Sequence, residues 1–204
     1  MAIGIREYQP GDRFSWIDWK ATARRDRIMT KELEQMQSHG VVLMMDRVKS
    51  DAFEEIVTFS ASLARAIIKS GAKMGFVSFG REKTVFSLKE TEQHLQQIYY
   101  HLAKVDCDSG RSFADVTESE LPVWQSKNVT PLLVTASLSH DLVRKLELIG
   151  SRNHSTFVFL IKREGERISS EEKVMIERLM QRRIIIKAVS AGRFEDAFKE
   201  VSTL

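Results

Sequence analysis

An acidic residue at the end of an apolar run is the first place in this chain where chemistry would be expected. Val41–Met45 is continuously apolar and ends at Asp46, which begins a loop without glycine that reaches Ser50. A dinucleotide site would need Gly-x-Gly-x-x-Gly here, and a P-loop would need glycines before its lysine. An aspartyl phosphatase of the haloacid dehalogenase type would need a second Asp two residues on, where Val48 stands. The sequence therefore argues against all three chemistries at Asp46.

A divalent cation site is the fourth chemistry that suits Asp46. The metal-ion-dependent adhesion site of von Willebrand factor A domains reads Asp-x-Ser-x-Ser after the first strand, with a Thr and an Asp from later loops. Such oxygen ligands suit Mg²⁺. Asp46 and Ser50 match this pattern, Val48 replaces one Ser, Ser112 takes the place of the Thr, and Ser137 stands where the second Asp belongs. We therefore expect either a degenerate metal site at Asp46, Ser50 and Ser112, or capping of the following helix by Asp46 and Ser50.

Other polar candidates have structural interpretations. Ser78 lies in a segment that superficially matches a nucleophile elbow, but the spacing is wrong by one and the segment is a predicted strand. His94 and His101 lie seven residues apart on one predicted helix face, with no third ligand nearby in sequence. Ser139 precedes a predicted helix, so capping explains it. No arrangement of nucleophile, base and acid remains. The sequence predicts no catalytic residue and a protein that is not an enzyme.

Hydrophobic periodicity after residue 40 predicts the elements that position these side chains. Short apolar runs are typical of strands buried on both faces, and residues at helical spacing lie between them. Met74–Phe79 and residues 84–88 predict an antiparallel hairpin. The alternation predicts an α/β fold with a three-layer, mostly parallel sheet and this hairpin at one edge. Further strands are predicted at 41–45, 132–135, 157–161 and 184–189. Helices are predicted around 53–68, 95–102, 113–125 (interrupted at Pro122), 140–149, 170–180 and 194–201, and Ser169 and Glu172 have the spacing of a capping box at the start of the helix around 170–180.

Composition indicates one good-sized globular domain with a basic beginning. The chain has 204 residues and a net charge of +3. Residues 1–31 hold seven Lys and Arg against four acids, whereas the rest of the chain holds 24 of each. Such a segment is either a solvated face with internal ion pairs or a surface that suits phosphate or anionic lipid. The single cysteine, Cys107, fits a reducing compartment. No apolar run approaches the ~20 residues of a membrane span, so a cytoplasmic location is expected.

The segment before residue 40 carries a long, gapped motif. It combines a Pro-Gly turn with tryptophan, acids and arginine, which no periodic core element does. The motif resembles the signature of the bacterial family called domain of unknown function fifty-eight, in which Arg-Glu-Tyr-x-x-Gly-Asp precedes Ile-x-Trp-x-x-x-Ala-Arg and an extended segment. The matching residues are Arg6, Glu7, Tyr8, Pro10, Gly11, Asp12, Ile17, Trp19, Ala23 and Arg24.

This resemblance implies a von Willebrand A-like (Rossmann-like) domain, often with a degraded metal site, and covers essentially the whole chain. Members usually carry two membrane-spanning helices and a β-rich segment upstream, so this chain is either a fragment or a short member. The family is typically encoded beside AAA+ ATPases of the MoxR type. The resemblance therefore implies a protein partner of that kind, no catalytic residue, and the cytoplasmic part of a membrane-anchored protein.

Two domains are expected: an arm at 1–40 that packs on the body, and the α/β domain at 41–204. In the arm, Tyr8, Trp16, Ile17 and Trp19 are expected to pack, and Asp12 or Asp18 to pair with Arg24. The main hypothesis is a non-enzymatic interaction module whose partner binds at the carboxyl end of the sheet. The alternative is an Mg²⁺-dependent binder that uses the degenerate site. Nucleic-acid binding is not expected, because no known nucleic-acid fold is indicated.

Overall fold

The computed structural model describes residues 2–8, 17–25, 27–33, 40–125, 129–149, 156–182, 184–191 and 194. The chain divides into two compact units, Met1–Ser38 and His39–Leu204. Among the described residues, no helix combines the length and the apolar composition that crossing a bilayer requires.

The first unit is a small antiparallel ribbon with one short helix. Strand β1 (Ala2–Glu7) pairs with β2 (Met29–Leu33), and helix α1 (Trp19–Arg25) lies between them in the chain. Ile17 adds an antiparallel bridge to Thr30 and is buried. The extended segment before residue 34 is thus a strand. The sequence did not indicate β1 or α1, because both are short and β1 contains a glycine.

The second unit is a six-stranded sheet in the order β5-β4-β3-β6-β7-β8. Every neighbouring pair is parallel except β4 and β5, which form the predicted antiparallel hairpin. The α/β fold class is therefore confirmed. The elements are β3 (Val41–Met45), α2 (Phe53–Lys69), β4 (Met74–Phe79), β5 (Lys83–Lys89), α3 (Glu92–Leu102), α4 (Phe113–Gln125), β6 (Thr130–Thr135), α5 (His140–Ile149), β7 (Thr156–Lys162), α6 (Ser170–Met180) and β8 (Ile184–Ser190).

Two hydrophobic cores lie on the two faces of this sheet, which gives the three layers. Alternate residues of β3 show the division: Leu43 joins the core that holds α2 and α3, whereas Val42 and Met44 join the core that holds α4, α5 and α6. All five β3 residues are buried, which explains why a strand covered on both faces reads as a continuous apolar run.

Most predicted boundaries agree with the structure, and helix α4 is the exception. Pro122 does not interrupt it, since the helix runs through to Gln125. A proline inside a helix costs about 3 kcal/mol, but Leu121 and Trp124 on either side are buried in the core, and this packing offsets that penalty. The predicted C-terminal helix lies outside the described residues except for Phe194, whose ring packs edge-on against Phe59.

Candidate functional site

The site of interest lies where the chain changes direction across the sheet. From β3 the chain passes through α2 to β4 on one side, while β6 lies on the other side of β3. Open α/β sheets bind ligands at the carboxyl ends of strands at such a switch point. Asp46 follows β3 here, and Thr135 ends β6. We call the loops that follow β3, β4 and β6, together with the loop 106–112, the carboxyl edge.

The Asp46 carboxylate is buried and both of its oxygens accept hydrogen bonds. Thr135 Oγ1 donates to Oδ2 over 2.6 Å, and the Val48 backbone N–H donates to Oδ1 over 2.9 Å. Asp46 is only 6% exposed. Burial raises the pKa of its carboxyl group, and the hydrogen bonds from Thr135 and Val48 act in the opposite direction. Both oxygens that would ligate a cation are therefore already engaged within the protein.

The other predicted metal ligands also have local partners. Ser50 Oγ accepts from the Ala52 N–H at 3.1 Å, and Ser112 Oγ accepts from the Asp115 N–H and donates to its Oδ2. Ser112 thus caps α4. Among the described residues, no three His, Cys, Asp or Glu side chains gather as a metal would require. A Mg²⁺ ion at Asp46, Ser50 and Ser112 would have to share or replace these bonds, and the metal site stays a prediction.

The expectation that Asp46 and Ser50 cap helix α2 is wrong. The N-cap of α2 is Ala52, which makes no side-chain capping bond. The bonds of Asp46 to Thr135 and of Ser50 to Ala52 stabilise the loop before the helix instead. Ser137 stands where the adhesion-site pattern has its second Asp. It is exposed, and its N–H donates to Thr135 Oγ1 over 3.3 Å.

Arg47 was not recognised in the sequence, although it is one of the most constrained side chains at this edge. Its side chain is 9% exposed; Nη2 donates to Asp108 Oδ1 over 2.5 Å, and Nε to the Asp106 carbonyl over 3.0 Å. A Cβ at Gly80 would overlap this guanidinium and Asp108 Oδ1, so a larger residue there would have to displace the ion pair. The ion pair ties the loop after α3 to the end of β3. A lone arginine after Asp46 carries no sequence signal for a partner 61 residues away.

Lys162 forms a second buried ionic network that the sequence reading missed. Its Nζ donates to Glu172 Oε1 over 2.7 Å and to Glu166 Oε1 over 3.1 Å, and it lies 3.5 Å from the Ala136 carbonyl. Burial acts to lower the pKa of Lys162, but Glu172 and Glu166 outweigh it and raise that pKa. Glu172 also completes the predicted capping box with Ser169. This network links the ends of β6 and β7 to the start of α6.

Ser78 is structural, as predicted, but it has a histidine partner. Its fully buried Oγ lies 2.8 Å from His101 Nε2, and burial together with the Arg47 charge lowers the pKa of His101. His94 makes a different bond, from Nε2 to the Met74 carbonyl over 2.9 Å. The two histidines therefore share no ligand. A serine without solvent access does not serve as a nucleophile.

The described part of the N-terminal motif forms the first unit. Glu7 Oε1 accepts from Arg27 Nη1 at 3.3 Å, and the Tyr8 N–H donates to the Ile28 carbonyl. Arg6 lies in β1, whereas Pro10, Gly11, Asp12 and Trp16 lie outside the described residues. The packing of this unit on the α/β domain stays a prediction.

Three side chains of that motif are exposed. Trp19 is 68% exposed, and its packing on the α/β domain stays a prediction. Ala23 and Arg24 are exposed as well, and the pairing of Arg24 with Asp12 or Asp18 stays a prediction, since Asp12 lies outside the described residues. Asp18 Oδ1 accepts from the Ala21 N–H over 2.9 Å at the start of α1, and this bond gives the acidic side chain a structural role.

Comparisons with known proteins place these features in a family. The family described as "Protein of unknown function DUF58" matches residues 4–197. The chain is 39% identical over 193 residues to "Uncharacterized protein YeaD" of Bacillus subtilis (strain 168), which covers 95% of this chain and 48% of that protein. The chain thus spans about half the length of this relative.

Solved structures resemble the fold at low sequence identity. The conserved hypothetical protein BatB from Bacteroides thetaiotaomicron matches with a TM-score of 0.54 and 11% identity, covering 80% of this chain and 94% of that chain. An aerotolerance-related membrane protein from Bacteroides fragilis NCTC 9343 matches with a TM-score of 0.52 and 12% identity, covering 80% and 98%. Proximal thread matrix protein 1 from the mussel byssus matches with a TM-score of 0.54 and 12% identity, covering 81% and 46%. At such identities the likeness concerns the fold alone.

Proposed function

Because this chain belongs to the family of proteins of unknown function DUF58, we propose that it is a non-enzymatic protein-interaction module with a von Willebrand A-like domain. Its partner is an AAA+ ATPase of the MoxR type, which docks at the carboxyl edge. The module acts in the cytoplasm as part of a membrane-anchored protein, the arrangement that the family resemblance implies. Fractionation of the full-length protein with a tag on this domain tests the location, since recovery outside the membrane fraction would contradict anchoring.

The observation that carries this proposal is the internal bonding of the carboxyl edge. Asp46 is engaged by Thr135 and Val48, and the Arg47 guanidinium is engaged by Asp108 and the Asp106 carbonyl. General acids, bases and nucleophiles need a reacting atom within hydrogen-bond reach. Buried groups that are bonded to one another instead hold loops in a fixed shape. A rigid loop surface suits recognition of another protein.

The side chains around these bonds supply a contact surface. The Arg81 side chain is 87% exposed. Its Nε lies 3.9 Å from Asp108 Oδ2, which makes this a weak ion pair. Lys49 and Arg111 are exposed as well, and Val48, next to Lys49 in the chain, presents an exposed apolar side chain. Exposed cations around an apolar contact fit an acidic protein surface, which they would also steer during encounter.

Binding of the purified MoxR-type ATPase from the same organism, measured by calorimetry with nucleotide present, tests the proposal. We expect Arg81→Glu to weaken binding about fivefold, because rim charges contribute on the order of 1 kcal/mol. Val48→Asp should weaken it about tenfold or more by placing a charge in the apolar contact. Lys73→Glu is the matched control. Lys73 precedes β4 and Arg81 comes after it, so the two residues lie at opposite ends of that strand. Equal binding by all four proteins, or none by the wild type, would overturn the proposal.

The alternative of an Mg²⁺-dependent binder rests on the position of Asp46 alone. A cation there would have to replace the bonds from Thr135 and Val48 or share the carboxylate with them. Calorimetric titration with Mg²⁺ and Mn²⁺ decides this, with Asp46→Asn as the control. Heat at millimolar metal that disappears in the Asn variant would favour the alternative, and no heat in the wild type removes it.

A further inference from the structure

A groove lies on the side of the α/β domain where the sheet ends in β5. Its volume is about 580 Å³, within the range of ligand-binding clefts. It is lined by Phe86 of β5 and by one side of α3 with the turn after it: Gln93, Gln96, Gln97, Tyr100, His101 and Lys104.

The spacing of the helical residues explains this surface. Positions 93, 97, 100, 101 and 104 recur at the interval of one helical face, while Leu95, Ile98 and Leu102 face the core. The His101 ring is held by Ser78 and makes edge contacts with Phe76 and Phe86 at 5.7 Å between ring centres. The floor of the groove is thus a fixed aromatic surface rather than a flexible one.

The groove lies beside a strand with an open edge. Among the described residues, β5 pairs with β4 only, so its other edge presents backbone N–H and C=O groups. An edge strand next to a helix is the arrangement in which an extended peptide adds as a further strand while its side chains enter the groove. The side-chain amides of Gln93 and Gln97 make no hydrogen bond within the described residues and suit a peptide backbone.

Charge decides which strand would fit. The groove lining contains Lys104 and no carboxylate, and Lys83 and Lys89 stand at the two ends of β5. Lys83 is already paired with Glu120 Oε1 at 2.6 Å, so the positive charges that an added strand would meet are those of Lys89 and Lys104. An acidic strand would meet these two lysines as opposite charges.

We propose that the groove between β5 and α3 binds an extended, acidic peptide segment of a partner protein by strand addition. The apolar side chains of the peptide pack on Phe86 and Tyr100, and its acidic residues lie near Lys89 and Lys104. This site is separate from the carboxyl edge and does not depend on the ATPase proposal, because Lys89 and Lys104 take no part in the bonds of Asp46 or Arg47.

The test uses a fluorescein-labelled peptide, Glu-Val-Thr-Val-Thr-Val-Glu, capped at both ends. We expect its anisotropy to rise with the intact domain at peptide affinities stronger than about 1 mM. Hydrogen exchange should show new protection of the amides of residues 83–89 when the peptide is bound. Two control peptides separate the contributions: one with N-methyl groups on alternate residues, which cannot form the strand, and one with lysine in place of glutamate. Both should fail to bind.

Protein variants locate the site. Lys89→Glu and Lys104→Glu should each weaken peptide binding about fivefold, the effect of an exposed charge pair. Lys69→Glu on α2 is the matched control and should change binding less than twofold. Binding that persists with the N-methylated peptide, that is unaffected by both lysine variants, or that is missing from the wild type would overturn the proposal. Protection of residues 83–89 that grows with protein concentration without peptide would identify a second copy as the occupant and overturn it too.

Discussion

The buried bond between Thr135 and Asp46 should be measurable as a defined part of the stability of the α/β domain. Thr135→Val keeps the side-chain shape but replaces the hydroxyl donor, whose oxygen lies 2.6 Å from Asp46 Oδ2, by a methyl group. Thr135 has no exposed surface, so water cannot take the place of the donor. A hydrogen bond to a charged group contributes about 1.5–3 kcal/mol. We therefore expect the free energy of unfolding to fall by about 2 kcal/mol and Tm to fall by roughly 4–8 °C.

The pH dependence of this loss separates it from a packing defect. Burial raises the pKa of Asp46 above 3.8 in the folded state. The contribution of this carboxyl group to stability is therefore fully present below 3.8 and is lost as pH rises through the raised folded pKa. The bond from Thr135 lowers that pKa, so removing the bond raises it further. The bond favours the ionised form of Asp46, so the stability lost in Thr135→Val should be larger near pH 7 than near pH 4 (both approximate working values).

Urea unfolding of the wild type, Thr135→Val and Thr135→Ser at these two pH values is the assay. Thr135→Ser keeps the hydroxyl and removes a methyl group, so it should lose about 1 kcal/mol independently of pH. In an Asp46→Asn background the Val substitution should cost less than about 1 kcal/mol, because no buried charge loses its donor. A loss below about 0.5 kcal/mol for Thr135→Val near pH 7, or an equal loss at both pH values, would refute this reasoning.

Two further variants examine the other buried networks. Gly80→Ala places a methyl group in the space of the Arg47 guanidinium and should destabilise the domain by about 1–3 kcal/mol. Gly110→Ala, whose methyl would meet nothing within 4 Å, should change thermal stability by less than about 0.5 kcal/mol; equal melting of the two variants would contradict the steric argument. Glu172→Gln removes a charge from buried Lys162 and should cost about 1–2 kcal/mol near pH 7. Because the pKa of Lys162 is raised above 10.5, the stability from this pair is lost as pH rises through that raised pKa. A penalty for Glu172→Gln that persists in unfolding experiments well above pH 10.5 would argue against the ionic origin.

The sequence located the strands more reliably than the contacts between them. Val41–Met45 and Met74–Phe79 could be read because both strands are buried along their whole length, which calls for mostly apolar residues. The same reading failed at Pro122, where burial of Leu121 and Trp124 outweighs the helix-breaking tendency of proline. It also missed strand β1 of the first unit, which is stabilised by pairing with β2, a segment distant in the chain.

At the candidate site the sequence determined where Asp46 and Arg47 lie, and the tertiary structure determined which groups they bond to. The end of a buried strand is a local property, so the place of Asp46 at the carboxyl edge followed from the apolar run before it. The partner of Asp46 is 89 residues away, and the partner of Arg47 is 61 residues away. Neither pair has a periodic or short-range signature, because the order of the strands brings each pair together only when the sheet forms. That order engages both oxygens of Asp46 internally, and this bonding, not the acidic residue itself, decides what the edge can bind.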